Sequence, residues 1–152
     1  MLRKILIGLL ILFIVIQFIR PGRNNGSIAG PADITHYVQV PDSVMRVLQV
    51  SCYDCHSNRT VYPWYANINP VGWWLQHHVN EGKQAINFSD LSAMPKKKLV
   101  HRMGDIGEQV EEHEMPLSSY LIIHKDAALT DAQIRMLKEW SARAKAEVSA
   151  RP

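Results

Sequence analysis

The sequence predicts an all-α chain, a small helical domain preceded by a single N-terminal transmembrane helix. Three observations carry that prediction. The first stretch is a continuous apolar run. Later segments repeat apolar residues at steps of three and four, bounded by capping residues and breakers. No stretch shows the apolar–polar alternation of a half-buried strand.

Residues 5–19 read I-L-I-G-L-L-I-L-F-I-V-I-Q-F-I, interrupted only by Gly8 and Gln17. As a helix they span about 22 Å, against about 30 Å of bilayer hydrocarbon. Met1 and Leu2, with Arg3, Lys4 and Arg20 snorkelling, narrow the gap. A segment apolar on every side is a poor core helix. A cleaved signal peptide fits the length, but the small-x-small site Ser27-Ile28-Ala29 lies well beyond the apolar end. Residues 1–23 are therefore read as an uncleaved membrane anchor, with a signal segment as the alternative. Residues 24–41 carry Gly26, Gly30, Pro31 and Pro41 and few large apolar side chains, and read as a linker.

Asp42 then caps a helix with Val44, Val47 and Leu48 on one face, running directly into Cys52. Pro63 and Pro70 bracket an aromatic loop containing Trp64 and Tyr65. Asn69 and Pro70 open a second helix through Trp73, Trp74, His77 and His78, stopped by Gly82. Pro95 opens a third, with Leu99, Met103, Ile106 and Val110 on its face. Thr130 and Gln133 form a capping box for the last helix, whose buried stripe is Ile134, Leu137, Trp140, Ala144 and Val148.

The formal charge of +3 is unevenly placed. Arg3, Lys4, Arg20 and Arg23 flank the apolar run, and no acid precedes Asp33. Beyond Arg23 the acids outnumber the cations by one, so no basic excess remains to neutralise phosphates and no nucleic-acid partner is expected. Two cysteines, three positions apart, rule out a disulfide framework.

Those cysteines sit in Cys52-Tyr53-Asp54-Cys55-His56. C-x-x-C-H is the attachment signature of c-type haem. Two thiols one helical turn apart suit the two haem vinyl groups, and the next residue offers an imidazole from the same side, making His56 the proximal ligand. Zinc needs four ligands and would have to recruit scattered histidines. A thioredoxin-like dithiol needs a preceding strand and βαβ surroundings. A plain disulfide leaves His56 unexplained. Residues 42–152 thus read as a cytochrome c-like helical domain around one covalent haem c.

For the sixth ligand, Met115 is favoured. It precedes Pro116 at a break after the third helix, where proline holds the preceding residue out of the helical region. His78 is the alternative, followed by His77, His113 and His124. Met94 also precedes a proline but sits where a helix opens. Arg59 is a candidate cation for a haem carboxylate. Trp64 and Trp73 are candidates for the haem edge, with burial in the core as the plainer role for most of the aromatics. Lys96, Lys97 and Lys98 form a solvated helix start or a docking patch for an acidic redox partner.

The region from about Pro41 to Trp140 resembles the bacterial haem-binding domain family of small c-type cytochrome-like proteins. The matching pieces begin with Cys52-Tyr53-Asp54-Cys55-His56-Ser57-Asn58, Tyr62-Pro63-Trp64-Tyr65 and Pro70-Val71-Gly72-Trp73-Trp74. They continue with His78-Val79-Asn80-Glu81-Gly82-Lys83, Asn87-Phe88-Ser89, Glu114-Met115-Pro116-Leu117, Tyr120, His124 and Leu129-Thr130. The resemblance implies covalent haem on Cys52 and Cys55, with His56 and Met115 as axial ligands. It also implies an anchor in the inner (cytoplasmic) membrane with the haem domain on the periplasmic side.

The expected function is one-electron transfer to and from redox partner proteins, by a carrier and not an enzyme. The competing class is a haem-based sensor or gas-binding domain with a displaceable sixth ligand. A peroxidase would need a distal acid–base pair, which the sequence does not display.

Overall fold

The computed structural model describes residues 1–151, in which helices and turns account for all the regular structure and no strand occurs. The helices are α1 (Leu2–Ile16), α2 (Asp42–Ser51), α3 (Tyr53–His56), α4 (Val71–Ala85), α5 (Lys96–Glu111), α6 (Ser118–Leu121) and α7 (Asp131–Ala150). Short 3₁₀ turns cover Ile34–His36, Trp64–Asn67 and Lys125–Ala127.

Helices α5 and α7 lie antiparallel: Gly104 meets Lys145, Gly107 meets Ser141, and Glu111 pairs with Lys138. Leu99, Met103 and Val110 of α5 are buried against Leu137, Trp140, Ala144 and Val148 of α7, with Val44, Val47 and Leu48 of α2 completing the same core. These are the stripes the three-and-four spacing predicts. Ile106 and Ile134 are only half-buried. The capping box forms as expected: Gln133 N–H donates to Thr130 Oγ1 at 3.3 Å, and Thr130 N–H donates to Gln133 Oε1 at 2.8 Å.

At its other end α5 closes with a turn that the sequence reading did not anticipate. His113 takes the left-handed conformation (φ 59°). Its N–H donates to Val110 O at 3.4 Å, while Glu114 N–H donates to Gln109 O at 2.9 Å. This is the hydrogen-bond pattern of a Schellman cap, with histidine where glycine is usual. It satisfies the last carbonyls of α5 and reverses the chain so that Met115 follows at once.

Residues 24–41 are not a solvated linker. Ile34 and Val38 are fully buried in the core, Ile34 N–H donates to Phe88 O at 2.9 Å, and Leu91 N–H donates to Ala32 O at 2.8 Å. The glycines and prolines mark turns, but Asp33 caps the 3₁₀ turn by accepting from Thr35 N–H at 2.9 Å and so delivers Ile34 inward. Asn24 is buried too, donating to Ser57 O at 2.9 Å and to Thr60 Oγ1 at 3.0 Å.

The expected transmembrane helix also needs correction. Helix α1 has 15 residues, ending at Ile16 and not at Ile19, and no helix among the described residues is long and apolar enough to cross a membrane. The chain leaves the helix where Asn69 Nδ2 takes up the carbonyls of Ile16 and Ile19 at 2.8 and 2.9 Å. No residue of α1 is buried.

At Gly107 α5 and α7 approach closely. A Cβ there would lie 2.9 Å from Ser141 Oγ and 3.3 Å from Lys138 Cα, and Ser141 Oγ is itself held by Gly107 N–H at 3.0 Å. Gly107→Ala is expected to destabilise the fold by about 1–3 kcal/mol in urea unfolding, overriding the gain in helix propensity. An alanine variant as stable as the parent would contradict this packing.

Candidate haem site

Helix α2 runs into Cys52, whose N–H still donates to Leu48 O at 2.9 Å. The backbone then breaks at Cys52 (φ −128°, ψ −36°) and starts α3 as a single separate turn. Cys55 N–H and His56 N–H both donate to Cys52 O, at 3.2 and 2.9 Å. Positions i, i+3 and i+4 of one turn share a face. Accordingly Cys52, Cys55 and His56 line one cavity of about 300 Å³, with His78, Met115, Leu117 and Tyr120 also on its walls. Two further cavities adjoin it. One, of about 440 Å³, opens past Cys55 between Trp64, Trp74 and His124. The other, of about 390 Å³, opens past Cys52 and His56 toward Arg102, Ile106 and Met115.

His56 is fixed by its other ring nitrogen. Nδ1 lies 3.1 Å from Ile86 O. A carbonyl can only accept, so Nδ1 carries the proton and Nε2 keeps its lone pair. Burial holds the imidazole below its ordinary pKa, against the pull of the Ile86 and Gly82 carbonyls, which favours the neutral ring that a metal requires.

The Ile86 carbonyl is positioned by a polar clamp. Asn87 Nδ2 donates to Asn58 Oδ1 at 2.8 Å, Asn58 N–H donates to Ser89 Oγ at 3.1 Å, and Ser89 N–H donates to Asn87 Oδ1 at 3.1 Å. Phe88 N–H donates to His56 O at 2.7 Å, and the Phe88 ring stacks on Tyr53 with centroids 5.5 Å apart. The loop over residues 86–89 is thereby bound to both ends of α3.

Asp54 anchors the opposite side. Its carboxylate accepts from Val61 N–H at 2.9 Å and from Tyr120 O–H at 2.8 Å, while its carbonyl accepts from Thr60 Oγ1 at 2.6 Å. Burial, then the bond to Asp54, pushes the Tyr120 phenol well above its ordinary range, so it stays protonated as a donor. Helix α6 and the Met115 loop are thus tied to the same turn as the cysteines.

Both thiols are pushed up by burial, Cys52 to about 12 and Cys55 to about 11. They are neutral near pH 7, unlike the depressed thiolates of redox dithiols. Among the described residues no group of three or more His, Cys, Asp or Glu side chains is arranged to hold a metal ion, so the four-ligand set of a zinc site is not assembled here. Among the same residues, the buried side-chain nitrogens without a partner are His78 Nε2 and Arg102 Nε, and both residues line these cavities. Largely apolar walls, the unpartnered Nε–H donor of Arg102 and a neutral imidazole suit a porphyrin with carboxylate edges.

The other sequence candidates fall out differently. Arg59 is exposed, lines none of these cavities, and pairs its backbone with Asn25. Trp73 is also elsewhere, donating from Nε1 to Ile19 O at 2.7 Å. Trp64 reaches only the outer rim of the second cavity, 76% exposed. His77 faces outward and pairs with Glu81 at 3.2 Å. His113 serves the α5 cap. His124 stacks on Tyr120 at 4.1 Å and meets Tyr65 Oη at 3.2 Å. Met94 packs against the core.

Three contributors escaped the sequence reading. Arg102, held at Nη1 by Asp105 at 2.9 Å, is the cation the structure brings to the cavities in place of Arg59. Asn58, Asn87 and Ser89 stand among the residues that carry the family resemblance, but no periodicity assigned them their role as a clamp. Gly82 does not stop α4, which continues to Ala85. A Cβ at Gly82 would stand 2.7 Å from Cys55 O, so its bareness lets α4 lie against α3.

A helical domain with a neutral, half-buried histidine, two thiols and a thioether around linked apolar cavities fits a haem-binding class of protein. Residues 11–143 match the family described as the haem-binding domain, and the chain belongs to that family. No curated protein and no solved structure matches it.

Gly82→Ala would drive a methyl into the backbone of Cys55 and push α4 from the attachment turn. The expected result is a loss of about 1–3 kcal/mol in unfolding together with a fall in haem absorbance per chain. Full haem content at parental stability would contradict the contact.

Proposed function

We propose that this chain is a membrane-tethered monohaem c-type cytochrome that carries single electrons between redox partner proteins. The observation that carries the reading is the shared wall of one cavity: Cys52, Cys55, His56 and Met115 all line it. Cys52 and Cys55 would hold haem as thioethers, and His56 would ligate the iron through Nε2. When bound, the haem supplies reversible one-electron exchange at its iron, while the protein sets orientation, burial and ligand field.

Met115 is the better sixth ligand. His56 lines two of the three cavities, and Met115 lines the same two, whereas His78 shares only one of them with His56. Met115 is held there by its own N–H, which donates to Gln109 O at 3.1 Å, and by the α5 cap before it. A thioether opposite an imidazole raises the reduction potential, as a carrier needs. The buried, unpartnered Nε2 of His78 supports the competing reading, a sensor in which the sixth position can change hands.

Support for the tether is α1, whose apolar side chains are exposed all round, with Arg3 and Lys4 near its start. Thioether attachment of haem takes place outside the cytoplasm, which supports the periplasmic side of the inner membrane as the position of the haem domain.

Spectra of the oxidised and reduced protein, with and without carbon monoxide, test the reading. The oxidised protein should show the methionine-to-iron charge-transfer band, and the reduced protein should not take up carbon monoxide at neutral pH. Met115→Ala should lose the band, lower the midpoint potential and admit carbon monoxide. A band that survives Met115→Ala, or ready carbon monoxide binding by the parent, would overturn the assignment in favour of a displaceable ligand.

A further inference from the structure

The junction between α1 and the domain is built as a rigid mount. Gln17 and Asn69 exchange two bonds: Asn69 N–H donates to Gln17 Oε1 at 2.9 Å, and Gln17 Nε2 donates to Asn69 O at 3.0 Å. The Asn69 side chain, 1% exposed, takes up the carbonyls of Ile16 and Ile19, and Trp73 Nε1 also bonds Ile19 O. Arg23 bonds Asn67 and lies over the Tyr62 ring, 4.7 Å from its centroid. A loose tether needs none of these contacts.

Around this mount the domain exposes large apolar side chains. Trp64, Ile68, Val71 and Trp74 belong to the segment that carries Asn67, Asn69 and Trp73, and are between 38% and 76% exposed. Because the mount fixes this rim beside the end of α1, a surface that takes α1 meets the rim as well. Helix α1 is apolar on every side, which suits lipid better than a one-sided protein groove. Its length of about 22 Å falls short of a hydrocarbon core of about 30 Å, and a domain that sinks its own apolar rim into the interface shares that mismatch. Arg20 and Arg23 are exposed between helix and rim, placed for anionic headgroups. Tryptophan is the side chain that favours this layer.

We propose that Trp64, Ile68, Val71 and Trp74 form a membrane-seating surface, embedded in the interfacial layer of the bilayer that receives α1. This rests on the reading of α1 as a lipid-embedded helix. It deepens that reading by fixing the domain's orientation. The cavity lined by Trp64, Val71, Trp74 and Cys55 then opens at the membrane surface.

The test is lipid photocrosslinking of the full haem-loaded chain, reconstituted in phosphatidylethanolamine–phosphatidylglycerol vesicles. A benzophenone amino acid replaces, one at a time, Trp64, Trp74, Leu9 of α1 and Arg143 on the exposed face of α7. The expected result is lipid adducts, read by mass spectrometry, at positions 64, 74 and 9, several-fold above position 143. Adducts at 9 but none above the control at 64 and 74 would overturn the seating surface and leave the embedded helix standing. Adducts at none of the three would overturn both. Protein crosslinks in place of lipid at 64 and 74 would overturn lipid as the occupant.

Discussion

The hydrogen bond from His56 Nδ1 to the Ile86 carbonyl decides what the attachment turn can do. It protonates one ring nitrogen and frees the other, and it sets the ring's rotation about the side chain. A four-residue helix has little stability of its own, so this bond is useful only because its acceptor is immobile. Immobility comes from both flanks of the acceptor: the Asn58–Asn87–Ser89 clamp, and the Phe88 amide bonded back to His56 O. Gly82 contributes by absence of a side chain, since any Cβ would separate α4 from Cys55. The turn is therefore over-determined from three directions, which is how a short element becomes a fixed ligand frame.

The rest of the fold follows from supporting that frame at a distance. The α2, α5 and α7 core presents one end to Cys52 and Tyr53, and the cap on α5 returns the chain so that Met115 arrives at the wall His56 occupies. Asp54 couples the other wall, through Tyr120, to α6 and the loop after Met115. The walls that carry His56 and Met115 are thus fastened to the same five-residue motif. That arrangement suits electron exchange, where little should move between oxidation states, better than a site that must open to admit a ligand.

What the sequence made legible were features with a local code. The shared face of Cys52, Cys55 and His56, the Thr130 capping box and most of the stripes of α5 and α7 depend on local spacing and are found where the spacing puts them, with Ile106 and Ile134 only half-buried. Pro116 marked the break after α5, although the turn that brings Met115 to the cavity wall uses His113 in a conformation sequence assigns to glycine. The errors concern partners distant in sequence. Residues 24–41 look like a linker because turns and linkers share glycine and proline, and only the burial of Ile34 and Val38 separates them. Gly82 looks like a helix stop because close approach to Cys55 leaves no mark within α4. Arg59 was one candidate cation, yet Ser57 turns the chain there, Arg59 is left exposed, and Arg102 arrives from α5 instead. Trp73 belongs to the α1 mount because its partner, Ile19, lies across the domain boundary drawn from composition. The transmembrane expectation rested on hydropathy and took no account of Asn69, which ends the helix early.

The most direct measurement of the central claim is the intact mass of the purified, denatured chain. Thioether attachment predicts a chain heavier than its sequence by one haem, with the iron still bound to the polypeptide after acid–organic extraction. Both properties should be lost when Cys52 and Cys55 are replaced together by alanine. A mass equal to the sequence, with haem extractable or the two thiols joined as a disulfide, would contradict the account.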